Sequence, residues 1–246
     1  AWDQFKTSGP HPDGYSYGTE YSGEAELFTA EKDTFNIYQY ATHGSHVAGI
    51  AGGSGAGTEH RGVAFEANFL FVTFLVDEAA VLDAFAWMKK QATFYNKPLV
   101  INMSWGLYHL GTLDGTSLLS QAIDQYSEQG VVFITSGGNN GDEMFHIKNV
   151  FNTDTMRSHV EFYSYRSHAE MWGQSISMWG KPGSTFSSSF EVYDNTKTLV
   201  AESPSFSTLG TENYTESFIL VGTDTVFYNI KTVESFSLNQ RPHMRL

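Results

Sequence analysis

Two histidines in a glycine-rich stretch are the residues of this chain best suited to chemistry. The stretch reads Thr42-His43-Gly44-Ser45-His46-Val47-Ala48-Gly49-Ile50. An imidazole accepts and returns protons near neutral pH, as general acid–base catalysis requires. If the stretch is helical, the two histidines share a face, which would also suit a metal.

A metal site finds little support in the sequence. No third ligand stands at a telling spacing from the two histidines, the chain has no cysteine, and the His-Glu-x-x-His zinc motif is absent. Two histidines lying in a glycine-rich turn are the structural alternative to a catalytic role.

Four segments, in chain order, resemble motifs of the subtilisin-like serine proteases. The first, at His43, resembles His-Gly-Thr-His-Val-Ala-Gly, with serine for threonine. Arg61-Gly62-Val63-Ala64 resembles Gly-Val-Ala-Pro, with Phe65 replacing the proline. Asn102-Met103-Ser104-Trp105-Gly106 resembles Asn-Met-Ser-Leu-Gly, and Ser136-Gly137-Gly138-Asn139-Asn140-Gly141 resembles Ala-Ala-Gly-Asn-x-Gly. The resemblance covers roughly residues 40 to 143.

The resemblance implies a role for each segment. His43 would be the general base, and Asn139 would donate a hydrogen bond to the oxyanion. The backbone of Ser104, Trp105 and Gly106 would bind an extended peptide, and the primary specificity pocket would be lined by Ser136, Gly137 and Gly138. Since glycines leave volume, we expect this pocket to accept large apolar side chains, although Ser136 departs from the family's alanine. Taken alone, Asn-Asn-Gly is a turn signal.

The family's nucleophile motif, Gly-Thr-Ser-x-Ala, is missing from its expected place after Asn139. Gly115-Thr116-Ser117 precedes Asn139 and is followed by Leu118, so we expect Thr116 or Ser117 to cap a helix instead. The aspartate motif is missing too. Asp3, Asp13 and Asp33 precede His43, but none is predicted to end an apolar strand.

The sequence therefore predicts part of a serine endopeptidase, inactive alone because it lacks nucleophile and aspartate. The alternative is a pseudoprotease or a protein- or glycan-binding module whose binding face carries exposed aromatic residues. The candidates for that face are Tyr163, Trp172, Trp179 and Tyr193, which would otherwise fill a β-rich core.

Periodicity predicts the elements that would hold these residues. Apolar runs at 69–75, 99–103 and 131–135 read as buried strands, and residues 79–95 and 116–129 read as helices. This alternation predicts an α/β fold, which the resemblance narrows to a subtilisin-like doubly wound parallel sheet with helices on both faces.

After about residue 143 the pattern changes to short alternating segments separated by turns. The segments lie at 159–163, 175–179, 185–193, 216–221 and 225–230. They predict an inserted antiparallel β-sandwich, jelly-roll-like, at 144–246, beside a partial catalytic core at 1–143.

Composition bounds the remaining possibilities. The formal net charge of the 246 residues is -13, which argues against nucleic acid as a partner. No apolar run approaches the roughly 18 residues of a membrane span. We expect peptide or protein substrates and no cofactor beyond a possible structural calcium, for which the sequence offers no ligand set. The resemblance implies a secreted, periplasmic or surface location, and nothing indicates an oligomeric state.

Overall fold

A computed structural model describes residues 1–30, 42–75, 77–106, 108, 111–151, 155–160, 164–165 and 168–246. Their contacts divide the chain into two compact units. The first unit contains residues 1–106 and 119–147, and the second contains 107–118 and 148–246. The domain boundary expected between residues 143 and 144 stays a prediction.

The described residues form four helices and fifteen strands. The helices are α1 (Gly23–Thr29), α2 (His43–Gly52), α3 (Glu78–Phe94) and α4 (Leu118–Glu128). The strands are β1 (Trp2–Asp3), β2 (Thr19–Glu20), β3 (Val72–Thr73), β4 (Val100–Met103), β5 (Val132–Thr135), β6 (Ser164–Tyr165), β7 (His168–Trp172), β8 (Ser177–Trp179), β9 (Ser187–Ser188), β10 (Glu191–Tyr193), β11 (Leu199–Glu202), β12 (Phe206–Ser207), β13 (Asn213–Val221), β14 (Asp224–Val233) and β15 (His243–Arg245).

Parallel strand pairs form the framework of the first unit, as the alternating pattern predicted. β1 pairs in parallel with β3, and β4 pairs in parallel with β5. The two pairs belong to separate sheets, β2-β1-β3 and β4-β5, rather than to one continuous sheet. The apolar run at 69–75 contributes only the two residues of β3.

The core of the first unit lies between β4-β5 and the helices. Ile101 and Met103 point inward from β4 and pack with Val81 and Phe85 of α3. Residues of α4, including Ile123, pack against the same cluster. Because side chains alternate along a strand, one face of β4 and β5 is thereby covered.

The opposite face corrects the prediction of helices on both faces. Val100 is 62% exposed, and Val132 and Ile134 are each 50% exposed. In the described part of the chain, α3 and α4 both pack on the Ile101 side. The prediction differs from the structure because β4 and β5 carry apolar residues on both faces, which suggested cover on both, whereas α3 and α4 cover only one face.

Two carboxylates fix the starts of the long helices. Asp77 Oδ1 accepts the Ala80 N–H at 2.8 Å and caps α3. Glu78 Oε1 accepts the Leu119 N–H of α4 at 2.9 Å. Such bonds satisfy N–H groups that have no partner within the helix. Ser117 directly precedes α4, at the position where a cap was predicted.

The amino-terminal segment is held against α3 and the residues before it by polar side chains, of which Gln4 is buried. Gln4 donates from Nε2 to the Ala80 carbonyl and accepts the Leu75 N–H on Oε1, both at 3.0 Å. Tyr17 donates its hydroxyl to Asp83 Oδ2 at 2.6 Å. Burial first, and then this hydrogen bond, raise the pKa of Tyr17.

The second unit is built from antiparallel strands. Its largest sheet has the order β13-β14-β15-β8, with three separate two-stranded pairs beside it. The strands predicted at 175–179, 216–221 and 225–230 are confirmed, and the segment 185–193 divides into β9 and β10. In the segment predicted at 159–163, residues 161–163 lie outside the described residues. The β-sandwich itself stays a prediction.

Among the described helices, none is both long enough and apolar enough to cross a membrane.

Candidate active site

His43 is the first residue of α2. The helix begins as the Thr42 carbonyl accepts the His46 N–H at 2.9 Å. The His43 side chain is exposed. An imidazole in this position is open to a reacting group that approaches from outside the described residues.

The segment Gly62–Ala64 closes the other end of α2. Gly62, Val63 and Ala64 donate their N–H groups to the carbonyls of Gly53, Ile50 and Ala51 at 2.8, 3.1 and 2.8 Å. These carbonyls belong to the end of the helix, where no intrahelical donor remains. The family-like motif at 61–64 therefore stabilises the end of α2, the helix that begins with His43.

Only one glycine of α2 lies so close to another segment that a side chain would not fit. A Cβ on Gly52 would lie 2.2 Å from Phe69 Cζ, whereas Gly44 and Gly49 face open space. Ala48 is half-buried and Ala51 is exposed. Small residues in a helix can allow a neighbouring segment to approach closely. Only Gly52 makes such an approach, and it does so to the segment after the helix.

The ends of β4 and β5 bring the predicted substrate-binding segments together. Met103 pairs with Thr135 at the last register position, so Ser104 and Ser136 are the next residues on neighbouring strands. The Ser136 N–H donates to the Met103 carbonyl at 3.3 Å. Groups at the carboxyl ends of parallel strands share one edge, where ligands of such sheets bind.

Packing and hydrogen bonding hold the segment Ser104–Gly106. Trp105 is half-buried, and its ring centroid lies 5.2 Å from that of Phe74. Ser104 is half-buried and accepts a hydrogen bond from Asn102 Nδ2 at 2.9 Å. Gly106 is exposed. Asn102 is the first residue of the family-like motif, but no role was predicted for its side chain, although a polar residue within an apolar strand is a visible signal.

The Ser136–Gly138 segment is open to solvent, and Asn139 follows it in an exposed bend. A Cβ on Gly137 would meet no atom within 4 Å. Gly138 has a φ of 83°, a conformation that glycine adopts without strain. Within the described residues, no hydrogen bond or ion pair joins His43 to Asn139 or to Ser104.

The two described aspartates that precede His43, Asp3 and Asp13, make hydrogen bonds elsewhere. Asp3 does end a strand, the two-residue β1, but its Oδ1 accepts the Phe5 N–H at 3.0 Å. Asp13 pairs with Lys90, and the hydrogen bond from that lysine lowers the pKa of the Asp13 carboxyl. Asp33 lies outside the described residues.

His43 and His46 have different surroundings. A shallow, open depression beside α2 is lined by His46, His60 and Arg61, among others, and His43 does not line it. The described residues contain no group of three or more His, Asp or Glu side chains placed to hold a metal ion.

Thr116 belongs to the segment Gly115-Thr116-Ser117, which resembles part of the nucleophile motif, and it lies in a polar loop of the second unit. Asp114 accepts the Thr116 hydroxyl at 2.6 Å and pairs with Arg241 at 3.0 Å. Hydrogen bonds from Thr112 and Thr116 are the main reason that the pKa of Asp114 is lowered.

Comparison with known proteins confirms the family resemblance. A family model described as the subtilase family matches residues 11–214. The minor extracellular protease Epr of Bacillus subtilis is 32% identical over 105 residues, which are 41% of this chain and 15% of that protein. Subtilisin of Bacillus sp. strain TA39 is 36% identical over 107 residues, 40% of this chain and 24% of that protein.

The matches leave most of each relative uncovered: the chain spans less than a quarter of the length of both curated proteins. Among solved structures, the Clostridium perfringens CspB protease aligns with a TM-score of 0.49 at 19% identity. That alignment covers 89% of this chain and 45% of that one.

Proposed function

Because the chain belongs to the subtilase family, we propose that it forms the middle part of the catalytic unit of a serine endopeptidase. The observation that carries the proposal is the exposed His43 at the first residue of α2. The pairing of β4 with β5, which brings Ser104 beside Ser136, supports it.

In the proposed reaction, His43 acts as general base. It takes the proton of a serine hydroxyl while the serine oxygen attacks the scissile carbonyl carbon. His43 then gives this proton to the leaving amine as the carbon–nitrogen bond breaks, and water hydrolyses the acyl-enzyme. The side-chain amide of Asn139 donates to the oxyanion. A subtilisin is the measured example for such a donor, whose loss costs about 3–4 kcal/mol of transition-state stabilisation.

Substrate would bind as an extended peptide along the backbone of Ser104, Trp105 and Gly106, in the manner of an added strand. Its side chain before the cleaved bond would enter a pocket beside Ser136, Gly137 and Gly138. The open space at Gly137 supports a preference for large apolar side chains. Strong selection for Arg or Asp from a peptide library would contradict this preference.

The nucleophile and the orienting aspartate are proposed to come from a parent polypeptide, in which residues 1–246 are continuous with further catalytic segments. Neither Gly-Thr-Ser-x-Ala after Asn139 nor Asp-Ser/Thr-Gly before His43 occurs in the sequence. The 246-residue chain alone is therefore proposed to be inactive, since a triad without its nucleophile retains only weak residual catalysis.

The histidine pair offers a matched test. In the parent polypeptide we expect His43→Ala to lower kcat by at least ~1000-fold on a fluorogenic peptide, as general-base loss does. His46→Ala, three residues along the same helix, should keep kcat within about twofold. Equal losses in the two variants, or full activity of His43→Ala, would contradict the proposed role of His43.

A second function is favoured by the outward face of the hairpin β13-β14. Phe218, Leu220 and Phe227 are exposed there by 55%, 65% and 79%. Exposed apolar patches mark interaction sites, so a binding module without catalysis is the alternative. Of the aromatic face predicted from the sequence, two residues are described: Tyr193 is exposed and Trp179 is half-buried. Tyr163 and the Trp172 side chain lie outside the described residues.

The flanking sequence distinguishes the two functions. An Asp-Ser/Thr-Gly motif upstream and a Gly-Thr-Ser-x-Ala motif downstream of residues 1–246 support the enzyme, and their loss supports the binding module. A secreted, periplasmic or surface location is part of the proposal and is supported by the extracellular name of one relative. A structural calcium is proposed without ligands.

A further inference from the structure

Asn102 is a polar side chain of β4 to which the proposed mechanism gives no role. It lies on the outward face of the strand and is exposed, whereas its neighbours Ile101 and Met103 are buried. Its Nδ2 donates to Ser104 Oγ at 2.9 Å. The hydrogen bond ties the end of the strand to the first residue of the proposed substrate-binding segment.

The main chain around Ser104 is held from two other sides. The Ser136 N–H donates to the Met103 carbonyl at 3.3 Å, and Trp105 packs against Phe74 with ring centroids 5.2 Å apart. With the backbone held in this way, rotation of the Ser104 hydroxyl is the remaining local freedom. Asn102 is the described side chain that restricts it.

The direction of the hydrogen bond determines what Ser104 can still do. A serine hydroxyl has one proton to donate and two lone pairs that accept. Because one lone pair accepts from Asn102 Nδ2, the hydroxyl proton is directed away from that amide. Within the described residues, Ser104 Oγ makes no other hydrogen bond, so its proton is available to a ligand.

We propose that Asn102 is a positioning residue, which holds the Ser104 hydroxyl so that its proton donates to a carbonyl oxygen of the bound peptide. The inference rests on the proposed function, because it concerns the same substrate-binding segment. Asn102 acts through Ser104 and does not itself touch the substrate.

A double-mutant cycle in the parent polypeptide tests this coupling. We expect Asn102→Ala and Ser104→Ala each to lower kcat/KM about fivefold, the size of one net hydrogen bond, mainly by raising KM. The double variant should lose no more than Ser104→Ala alone, because Asn102 has no further route to the substrate. Independent losses that multiply in the double variant would overturn the inference.

Asn102→Asp reverses the hydrogen bond at nearly constant shape. A carboxylate accepts and cannot donate at neutral pH, so the Ser104 proton would turn to it and be lost to the substrate. We expect Asn102→Asp to raise KM at least as much as Ser104→Ala does. The matched controls are Asn195→Ala and Asn195→Asp in an exposed turn of the second unit, which should leave KM unchanged.

The outcomes separate this inference from the proposed function. A parent polypeptide that cleaves no peptide overturns both. An active parent in which Asn102→Asp keeps the original KM overturns the inference alone. Thermal unfolding of the same variants of the 246-residue chain reports on folding. If the loss of kcat/KM across the variants correlates with the loss of the unfolding midpoint, and does not depend on whether Ser104 is present, the inference is also overturned.

Discussion

Trp2 is nearly fully buried, with 1% of its surface exposed, and its packing depends on a glycine. Its ring lies 4.6 Å from that of Tyr15 and 6.0 Å from that of Trp87, measured between centroids. A Cβ built on Gly18 would stand 2.1 Å from Trp2 Nε1. The residue that follows Tyr17 must therefore lack a side chain for the tryptophan to keep its place.

We expect Gly18→Ala to lower the unfolding free energy of the chain by about 2–4 kcal/mol, from overpacking and from strain at a φ of 75°. Urea unfolding measures this loss. Gly14→Ala is the control, because Gly14 has a φ of 94° with nothing within 4 Å, and so isolates the strain. Equal losses in the two variants would show that the contact with Trp2 does not matter.

The sequence could predict the residue types of the site but not every partner. The sequence singled out His43 because its motif resembles the family's histidine motif, and the structure puts it at the first residue of α2. Asn102 was recognised as part of a motif, but no role for its side chain was predicted, because a strand predicted to be buried gives a polar side chain no obvious partner. Its hydrogen bond to Ser104 depends on the strand alternation that turns Asn102 outward, which only the structure specifies.

At the scale of elements, α2 shows how one glycine can be essential and its neighbour dispensable. Gly52 is buried beneath Phe69 and the carbonyl of Ala64, whereas Gly49, three residues earlier, faces open space. Glycine inside a helix costs about 0.5–1 kcal/mol relative to alanine where no contact requires it.

Alanine substitution should therefore have opposite signs at the two positions. We expect Gly49→Ala to stabilise the chain by roughly 0.5–1 kcal/mol. Gly52→Ala should destabilise it by about 1–3 kcal/mol, since its Cβ would overlap Phe69. Thermal unfolding midpoints of the 246-residue chain measure both. Stabilisation by Gly52→Ala would contradict the docking of Gly62–Ala64 against the end of α2.

Long periodic segments were predictable, and very short ones were not. The helices α3 and α4 and the strands β4, β5, β13 and β14 follow apolar periods that extend over several residues. β1, β2 and β12 have two residues each, too few for any period to be read, and within the runs predicted at 69–75 and 185–193 the strands β3 and β9 have only two residues each. The exposed face at Val100 and Ile134 was also missed, because an apolar run does not state what covers it.

At the scale of the whole molecule, His243 makes stability depend on pH. Its ring stacks on Trp179 with centroids 3.9 Å apart, and its Nε2 lies 3.0 Å from Ser177 Oγ. Burial first, and then the charges of Arg245 and Lys231, lower the pKa of His243 from 6.5 to about 4. The folded chain therefore favours the neutral ring, whereas the unfolded chain protonates it below pH 6.5.

The sign of the effect follows directly. The contribution of His243 to stability is fully present above pH 6.5 and is lost progressively as the pH falls from 6.5 to 4. We expect the urea midpoint of the wild-type chain to fall more steeply across this window than that of His243→Gln, which keeps a polar side chain but does not titrate. Identical slopes in the two chains would contradict a neutral, half-buried His243.

The chain belongs to the subtilase family, and the central proposal is that His43 acts with a nucleophile and an aspartate outside residues 1–246. Labelling by a fluorophosphonate probe, located by peptide mass spectrometry, tests this most directly. We expect the 246-residue chain to remain unlabelled, and the parent polypeptide to be labelled stoichiometrically at a serine outside residues 1–246. Stoichiometric labelling of Ser117, or of any other serine within the chain, would contradict the account.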